Sequence, residues 1–301
     1  MAISVTAILW QMNKPRRKTL GVVLAMGGAV EPADLELEAE EVTFNLPRDN
    51  TTTPGWIIKG SQPDGPVVVV VHGHRDSRFG SLYRAEMLKS YCSYIAVFDL
   101  PGHGDAEAKR CLMGDREADD VWSVAIGLDP DMLRGRQLVF LGYSMGAVVA
   151  VQAATKAATL VVPGPNGQGS DVPLAGVIAC APYRWWDEGL RGQLAKRVLP
   201  AWPLVPLVGL ALKLAPGVGL GQRPGFDVAE DAAKLHCPVL VLHGDADTIC
   251  PLSAGQAIAE AAPDGELVMI EGGTHNQLLA ADYDAVHAAL SSFFKKLGKG
   301  A

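Results

Sequence analysis

Residues 137–150 read QLVFLGYSMGAVVA, and this stretch decides the fold. Its first part, Gln137 to Leu141, is a short apolar run that favours a buried strand, and an apolar helical pattern begins at Ala147. The turn between them is Gly142-Tyr143-Ser144-Met145-Gly146. A serine on such a strand-to-helix turn exposes its hydroxyl above the sheet, and the helix N-terminus favours developing negative charge. The stretch predicts a nucleophilic Ser144; the alternative is a serine in an ordinary turn.

Apolar runs of the same kind recur along the chain. Residues 67–71 are five consecutive valines, a pattern typical of a strand buried on both faces. An antiparallel pair is predicted before them, at 41–46 and 56–59. Strands that alternate with helices imply right-handed crossovers and a mostly parallel sheet. The remaining predicted strands lie at 94–98, 137–141, 174–179, 238–242 and 266–270, and the predicted helices include 81–91, 147–158, 252–262 and 284–297.

One segment interrupts the alternation of strands and helices. Residues 182–226 carry Trp185, Trp186 and Trp202 together with a very apolar stretch, and they do not fit a single crossover helix. Four prolines between positions 200 and 216 argue against a membrane helix, so a small helical cap is predicted. The predicted organisation is therefore an N-terminal arm at 1–40, a core at 41–181 and 227–301, and a cap at 182–226.

Composition excludes some classes of function. The formal net charge is -7, so the chain lacks the basic excess that displaces counterions from nucleic acids. The acidic balance fits a protein that acts on neutral or cationic small molecules. The five cysteines are scattered and form no CxxC pair, which predicts neither a disulfide framework nor a zinc site and favours a reducing, cytoplasmic location.

The N-terminus leaves two interpretations open. A basic cluster at 14–18 precedes an apolar stretch at 19–30, which imitates a signal peptide. However, an apolar stretch at 3–10 comes before the basic cluster, and no clear cleavage motif follows. An arm that lies on the fold or on a membrane surface is therefore favoured over a cleaved signal. An exported or membrane-associated protein is the alternative to a cytoplasmic one, and nothing in the sequence indicates an oligomeric state.

A nucleophilic serine needs a base, and the base needs an orienting carboxylate. Asp245 and Asp247 both follow the predicted strand at 238–242; position in the loop favours Asp247, which leaves Asp245 as a turn or capping residue. His275 follows the last predicted strand, in a loop whose glycines allow it to return over the strand ends. His287 lies in the predicted C-terminal helix and is interpreted as a surface residue. The order Ser144, Asp247, His275 fits a catalytic triad.

An oxyanion hole needs two backbone N–H donors. Met145, directly after the nucleophile, supplies the first, and His74, in the loop after the pentavaline strand, supplies the second. The side chains of His72 and His74 are spaced as metal ligands could be. No further ligand cluster accompanies them, so neither a metal nor a cofactor is predicted.

Several ordered motifs resemble those of the α/β-hydrolase superfamily over about residues 40–298. They are most similar to its single-domain serine esterases, its monoacylglycerol-lipase-like enzymes and its serine-aminopeptidase-like hydrolases. The resemblance implies an α/β-hydrolase fold and a structural role for His103. The one departure, Ala147 in place of a second glycine, is small. The motifs are HGH at 72–74, DLPGHG at 99–104, GYSMG at 142–146, HGDADTICP at 243–251 and GGTH at 272–275.

The expected function is hydrolysis of a small-molecule carboxylic ester through an acyl-enzyme. An apolar cap suits an apolar acyl group, although the same residues could simply bury the cap against the core. Peptidase, amidase or thioesterase action with the same triad is the alternative. A non-catalytic binding protein is disfavoured because Ser144, Asp247 and His275 are all present, and a serine at the elbow excludes an aspartate-nucleophile dehalogenase.

Overall fold

The computed structural model describes residues 5–47, 50–111, 114, 117–163, 169–214 and 226–298. The strands are β1 (Ala39–Leu46), β2 (Thr51–Lys59), β3 (Val67–Val71), β4 (Tyr94–Phe98), β5 (Leu138–Tyr143), β6 (Thr159–Pro163), β7 (Gly169–Cys180), β8 (Val239–Gly244) and β9 (Gly265–Ile270). The helices are α1 (Val5–Asn13), α2 (Leu20–Ala25), α3 (Arg78–Leu88), α4 (Glu117–Ile126), α5 (Pro130–Leu133), α6 (Met145–Ala154), α7 (Trp186–Lys196), α8 (Leu204–Leu214), α9 (Val228–Ala232), α10 (Leu252–Ala261), α11 (Leu278–Ala281) and α12 (Tyr283–Gly298).

The strands form one sheet in the order β1-β2-β4-β3-β5-β7-β8-β9, and β6 pairs with β7 beside this path. The six strands from β4 to β9 along this order are parallel to one another. β2 pairs antiparallel with both of its neighbours, β1 and β4. The valines of β3 are all buried. Helices α4, α6 and α10 cover one face of the sheet, and α3 and α12 cover the other. The prediction of a mostly parallel sheet flanked by helices is confirmed.

Several boundaries differ from the sequence prediction. β2 begins at Thr51 rather than at residue 56, because three β-branched threonines extend its pairing with β1. The helix predicted to reach Ala158 ends at Ala154, and the following residues form β6. β6 pairs with the first five residues of β7, which start at Gly169 and were not predicted as strand. The β-branched residues in β6 favour a hairpin over continued helix.

The N-terminal arm and the cap segment both lie over the carboxyl ends of the parallel strands. Helix α1 packs against α8, and its Ile8 and Met12 are buried in the core. The arm is anchored further along, where the guanidinium of Arg17 donates to the carbonyl oxygens of Ala106 and Ala108 at 2.7 and 2.8 Å. The boundaries of arm, core and cap stay predictions, and residues 215–225 of the cap lie outside the described residues.

Within the described ranges, none of the helices has both the length and the apolar character required to traverse a bilayer.

Candidate active site

Ser144 occupies the turn between β5 and α6, in a backbone conformation that few non-glycine residues adopt. Its φ is 54° and its ψ is -116°. The neighbouring glycines allow this turn because their lack of a side chain lets backbones approach. A Cβ on Gly142 would lie 2.0 Å from the carbonyl oxygen of Gly146, and one on Gly146 would lie 2.1 Å from that of Val71. The predicted elbow geometry is therefore present.

The loops after β5, β8 and β9 bring the three predicted triad side chains into one chain of hydrogen bonds. His275 Nε2 lies 2.9 Å from Ser144 Oγ, and His275 Nδ1 lies 2.7 Å from Asp247 Oδ2. An imidazole that donates from Nδ1 to the carboxylate keeps the lone pair of Nε2 free to accept the serine proton. The order of contacts is the one that nucleophilic activation of Ser144 requires.

The two candidate acids differ sharply in their surroundings. The side chain of Asp247 is buried, and its Oδ1 accepts the N–H groups of Ile249 and Cys250 at 2.8 and 2.9 Å. Burial raises the pKa of this carboxyl, but the contact with His275 and the two N–H donors outweigh it, so the pKa lies below its ordinary value. Asp245 is exposed and accepts the N–H of Gly272 at 2.7 Å. It therefore ties the His275 loop to the end of β8.

The two predicted oxyanion donors flank the serine. Met145 is the first residue of α6, where a backbone N–H has no partner within the helix. The loop after β3 lies against the elbow, since a Cβ on Gly73 would be 3.3 Å from Ser144 Cβ. Among the described residues, the N–H of His74 donates to no other backbone group. Both donors therefore remain available beside Ser144.

A large cavity opens over Ser144, with a volume of about 1790 Å³. Its floor consists of the elbow, His275 and the loop after β3, while the arm and the cap form its walls. The apolar part of the lining includes Ile8, Met12, Leu190, Leu194 and Ile249. A space of this size and composition accommodates an elongated apolar group next to the serine.

Comparison with known proteins identifies the family. A family model described as "Alpha/beta hydrolase family" matches residues 68–289, well over half of the chain. The chain belongs to the alpha/beta hydrolase family. The resemblance drawn from the sequence motifs, and the fold class that it implied, are thereby confirmed.

Relatives of this alpha/beta hydrolase lie at modest identity. The YqkD protein of Bacillus subtilis is 27% identical over 245 residues, which cover 79% of this chain and 74% of that protein. Pimeloyl-(acyl-carrier protein) methyl ester esterase of Chromobacterium violaceum is 27% identical and covers 74% of this chain and 92% of its own length. The Pyrococcus furiosus esterase Pf2001 superposes with a TM-score of 0.69 at 21% identity, covering 95% of this chain and 98% of that one. At that identity the structural likeness shows the fold.

Three histidines, of which His72 and His103 are buried and His74 is half-buried, support the loops beneath the cavity of this alpha/beta hydrolase. His72 Nε2 accepts the N–H of Leu100 at 2.9 Å, which joins the loop after β3 to the loop after β4. The ring of His103 packs edge-on against His72 and His74, with centroids 5.0 and 5.7 Å apart. Burial lowers the pKa of all three imidazoles, that of His74 to about 4. This packing fits the structural role expected for His103.

We expect these neutral histidines to make the fold acid-sensitive. Below pH 6.5 the unfolded chain protonates them, whereas the folded chain resists until the pH approaches the lowered values, about 4 for His74. The free energy of unfolding therefore decreases as the pH is lowered through this window, by up to about 1.4 kcal/mol per pH unit for each histidine. Urea unfolding at several pH values should show a shallower pH slope for His103→Asn than for the wild type. The exposed His236→Asn serves as the control, and equal slopes in all three proteins would contradict the assignment.

Sequence reasoning missed the contacts that hold the His275 loop. The hydroxyl of Tyr143 donates a short hydrogen bond to the carbonyl oxygen of His275, and the guanidinium of Arg84 lies 4.4 Å from the centre of the Tyr143 ring. Arg84 also pairs with Asp76, at 3.1 Å, which in turn binds Lys18 of the arm at 3.0 Å. Apart from the pair of Arg84 and Asp76, these contacts join residues far apart in the chain, and only the proximity of Tyr143 to Ser144 signals any of them.

Cys250 is a second residue of the site that the sequence did not single out. It is buried and lines the cavity, and its Sγ lies within 4.8 Å of ligand atoms of Asp247 and His275. Burial, reinforced by the nearby charge of Asp247, raises the pKa of the thiol well above its ordinary value. The thiol therefore stays protonated at neutral pH and is not an activated nucleophile.

Two groups of described side chains place three candidate metal-ligand atoms within 4.8 Å of one another: Asp247 with Cys250 and His275, and His74 with His103 and Cys111. In the first group, Asp247 bonds to His275, and His275 bonds to Ser144 of the elbow. In the second, His74 Nε2 contacts the carbonyl oxygen of Met12 at 3.4 Å.

Proposed function

We propose that this alpha/beta hydrolase cleaves carboxylic esters, with Ser144 as nucleophile, His275 as general base and Asp247 as the carboxylate that orients the base. One observation carries the proposal: the unbroken hydrogen-bond chain from Asp247 through His275 to Ser144 Oγ. A serine in an ordinary turn is not expected to lie at the end of such a series of hydrogen bonds.

The geometry supports a two-step reaction. Ser144 Oγ attacks the acyl carbonyl while its proton passes to His275 Nε2, and the N–H groups of His74 and Met145 stabilise the oxyanion. Collapse of the tetrahedral intermediate expels the alcohol, which takes the proton from His275. Water then attacks the acyl-enzyme, with His275 again as the base, and the acid is released. Asp247 stays ionised throughout and stabilises the imidazolium.

The choice of an ester over an amide or thioester draws support from the comparisons. The Chromobacterium relative is named as a methyl ester esterase and the Pyrococcus structure as an esterase. The apolar lining beside Ser144 favours an ester with an apolar acyl group.

The substrate class is tested with p-nitrophenyl esters from acetate to octanoate, read alongside matched anilide and thioester panels. We expect ester turnover that increases with acyl length, because each added methylene buries more apolar surface in the cavity. A fluorophosphonate probe should label the protein, and Ser144→Ala should abolish labelling while the exposed Ser253→Ala retains it. Activity confined to anilides or thioesters would overturn the ester assignment, and labelling that persists in Ser144→Ala would overturn the nucleophile.

A further inference from the structure

The charge around the cavity is opposite in sign to that of the whole chain. The protein has a formal net charge of -7. Among the described residues that line the cavity, nine are lysine or arginine and two are acidic. An acidic protein that gathers its cations around one opening creates a local positive field there.

Most of these cations have no acidic partner among the residues that the structure describes. Lys18 and Arg84 share Asp76, and Arg17 donates to backbone carbonyl groups. The other six form no ion pair with any described residue. All six are exposed, and they come from the arm, the loops beside the site and the cap: Lys14, Arg16, Arg75, Lys109, Lys196 and Arg197. Their charge is therefore available to something outside the chain.

Exposed apolar side chains lie among these cations. Trp10 lines the cavity although 60% of it is exposed, and it precedes the basic cluster at 14–18. Helix α2 follows that cluster, and its Val22 lines the cavity and is exposed as well. Met26, one turn after Val22, is 69% exposed. The arm thus presents a tryptophan, a basic segment and an apolar helix in succession at the cavity mouth.

The cap also carries exposed apolar side chains close in sequence to cations that line the cavity. Val198 follows Lys196 and Arg197 directly and is 92% exposed, and Trp202 is 76% exposed. Both sets are fixed relative to the core, because α1 packs against α8 and the N–H of Cys111 donates to the carbonyl oxygen of Asn13 at 2.9 Å. We call the cations that line the cavity, together with the exposed apolar side chains near them along the arm and the cap, the basic-apolar rim.

We propose that the basic-apolar rim docks this protein on an anionic lipid bilayer. Lysine and arginine beside the cavity would face the lipid phosphates, while Trp10, Trp202, Val198 and Met26 enter the interface. A soluble anion would account for the cations but not for the protruding apolar side chains. Docking in this orientation turns the cavity toward the membrane. Docking itself is independent of catalysis; the delivery of an ester from the bilayer to Ser144 rests on the proposed function.

Co-sedimentation with vesicles tests docking without reference to turnover. The Ser144→Ala protein is mixed with phosphatidylcholine vesicles, with or without phosphatidylglycerol, at low and at high salt. We expect binding to the phosphatidylglycerol vesicles only, and loss of binding at high salt because the charges are screened. Substituting both Arg16→Glu and Arg197→Glu should lower the apparent affinity by at least about tenfold. Trp10→Ser should weaken binding while the salt dependence is retained.

The control carries Lys234→Glu and Lys295→Glu, which change the net charge equally but lie outside the cavity lining. We expect it to bind like the parent protein, and thermal unfolding verifies that every variant is folded. Absence of binding to phosphatidylglycerol vesicles, or an equal loss in the control, would overturn the proposal. Poly-glutamate that competes as strongly as the vesicles would also overturn it, in favour of an acidic protein partner. Docking without ester turnover would leave this inference intact and contradict the proposed function instead.

Discussion

Replacing Ser144 by alanine is expected to lower kcat for ester hydrolysis by on the order of 10^6-fold. The hydroxyl oxygen is the atom that forms the acyl-enzyme. Without the hydroxyl, His275 has no serine proton to accept. The serine side chain makes no capping hydrogen bond to α6, so alanine removes no contact that supports the helix. Folding should therefore be preserved, which thermal unfolding checks, while p-nitrophenyl ester turnover measures kcat.

The neighbouring thiol provides a control for this prediction. Cys250 lines the same cavity, but its raised pKa keeps it protonated and unreactive. We therefore expect Cys250→Ala alone to retain ester hydrolysis, and the double variant with Ser144→Ala to be no less active than Ser144→Ala. A fall in kcat of less than about a hundredfold in folded Ser144→Ala would count against a serine mechanism.

Local patterns were enough to predict the central sheet and the elbow. The valines of β3 are buried on both faces, and their unbroken β-branched run predicts this burial. Ser144 could be predicted because its turn needs glycines at fixed neighbouring positions, where any side chain would collide with backbone. Such constraints act within a few residues of the chain, so one sequence displays them.

Contacts between distant segments could not be predicted in this way. The bond from Tyr143 to the carbonyl of His275 and the anchoring of the arm by Arg17 depend on how loops fold over one another. The charge of the site illustrates the same limit. Overall composition favoured neutral or cationic ligands, yet the fold collects cations from Lys14 to Arg197 around one cavity. Net charge sums over the surface, whereas a ligand experiences the local field.

The second large expected effect is the loss of kcat when Asp247, rather than Asp245, is replaced. Asp247→Asn is expected to lower kcat by about 10^4-fold with little loss of folding. The amide oxygen of asparagine keeps the bonds from the N–H groups of Ile249 and Cys250, which turns its NH2 group toward His275. His275 Nδ1 must then accept a hydrogen bond, so the ring proton moves to Nε2 and faces Ser144. In that tautomer the imidazole cannot take the serine proton.

Asp245→Asn is the matched control, because the same substitution is made two residues away in the same loop. Asparagine retains an oxygen that accepts the N–H of Gly272, so the loop that carries His275 stays tied to β8. We expect kcat within about tenfold of the wild type. The ratio of kcat in Asp245→Asn to kcat in Asp247→Asn therefore measures the contribution of the carboxylate that accepts from His275 Nδ1. General disturbance of the loop affects both variants and cancels in this ratio. A larger loss in Asp245→Asn than in Asp247→Asn would transfer the orienting role to Asp245, against the 2.7 Å contact between Asp247 and His275.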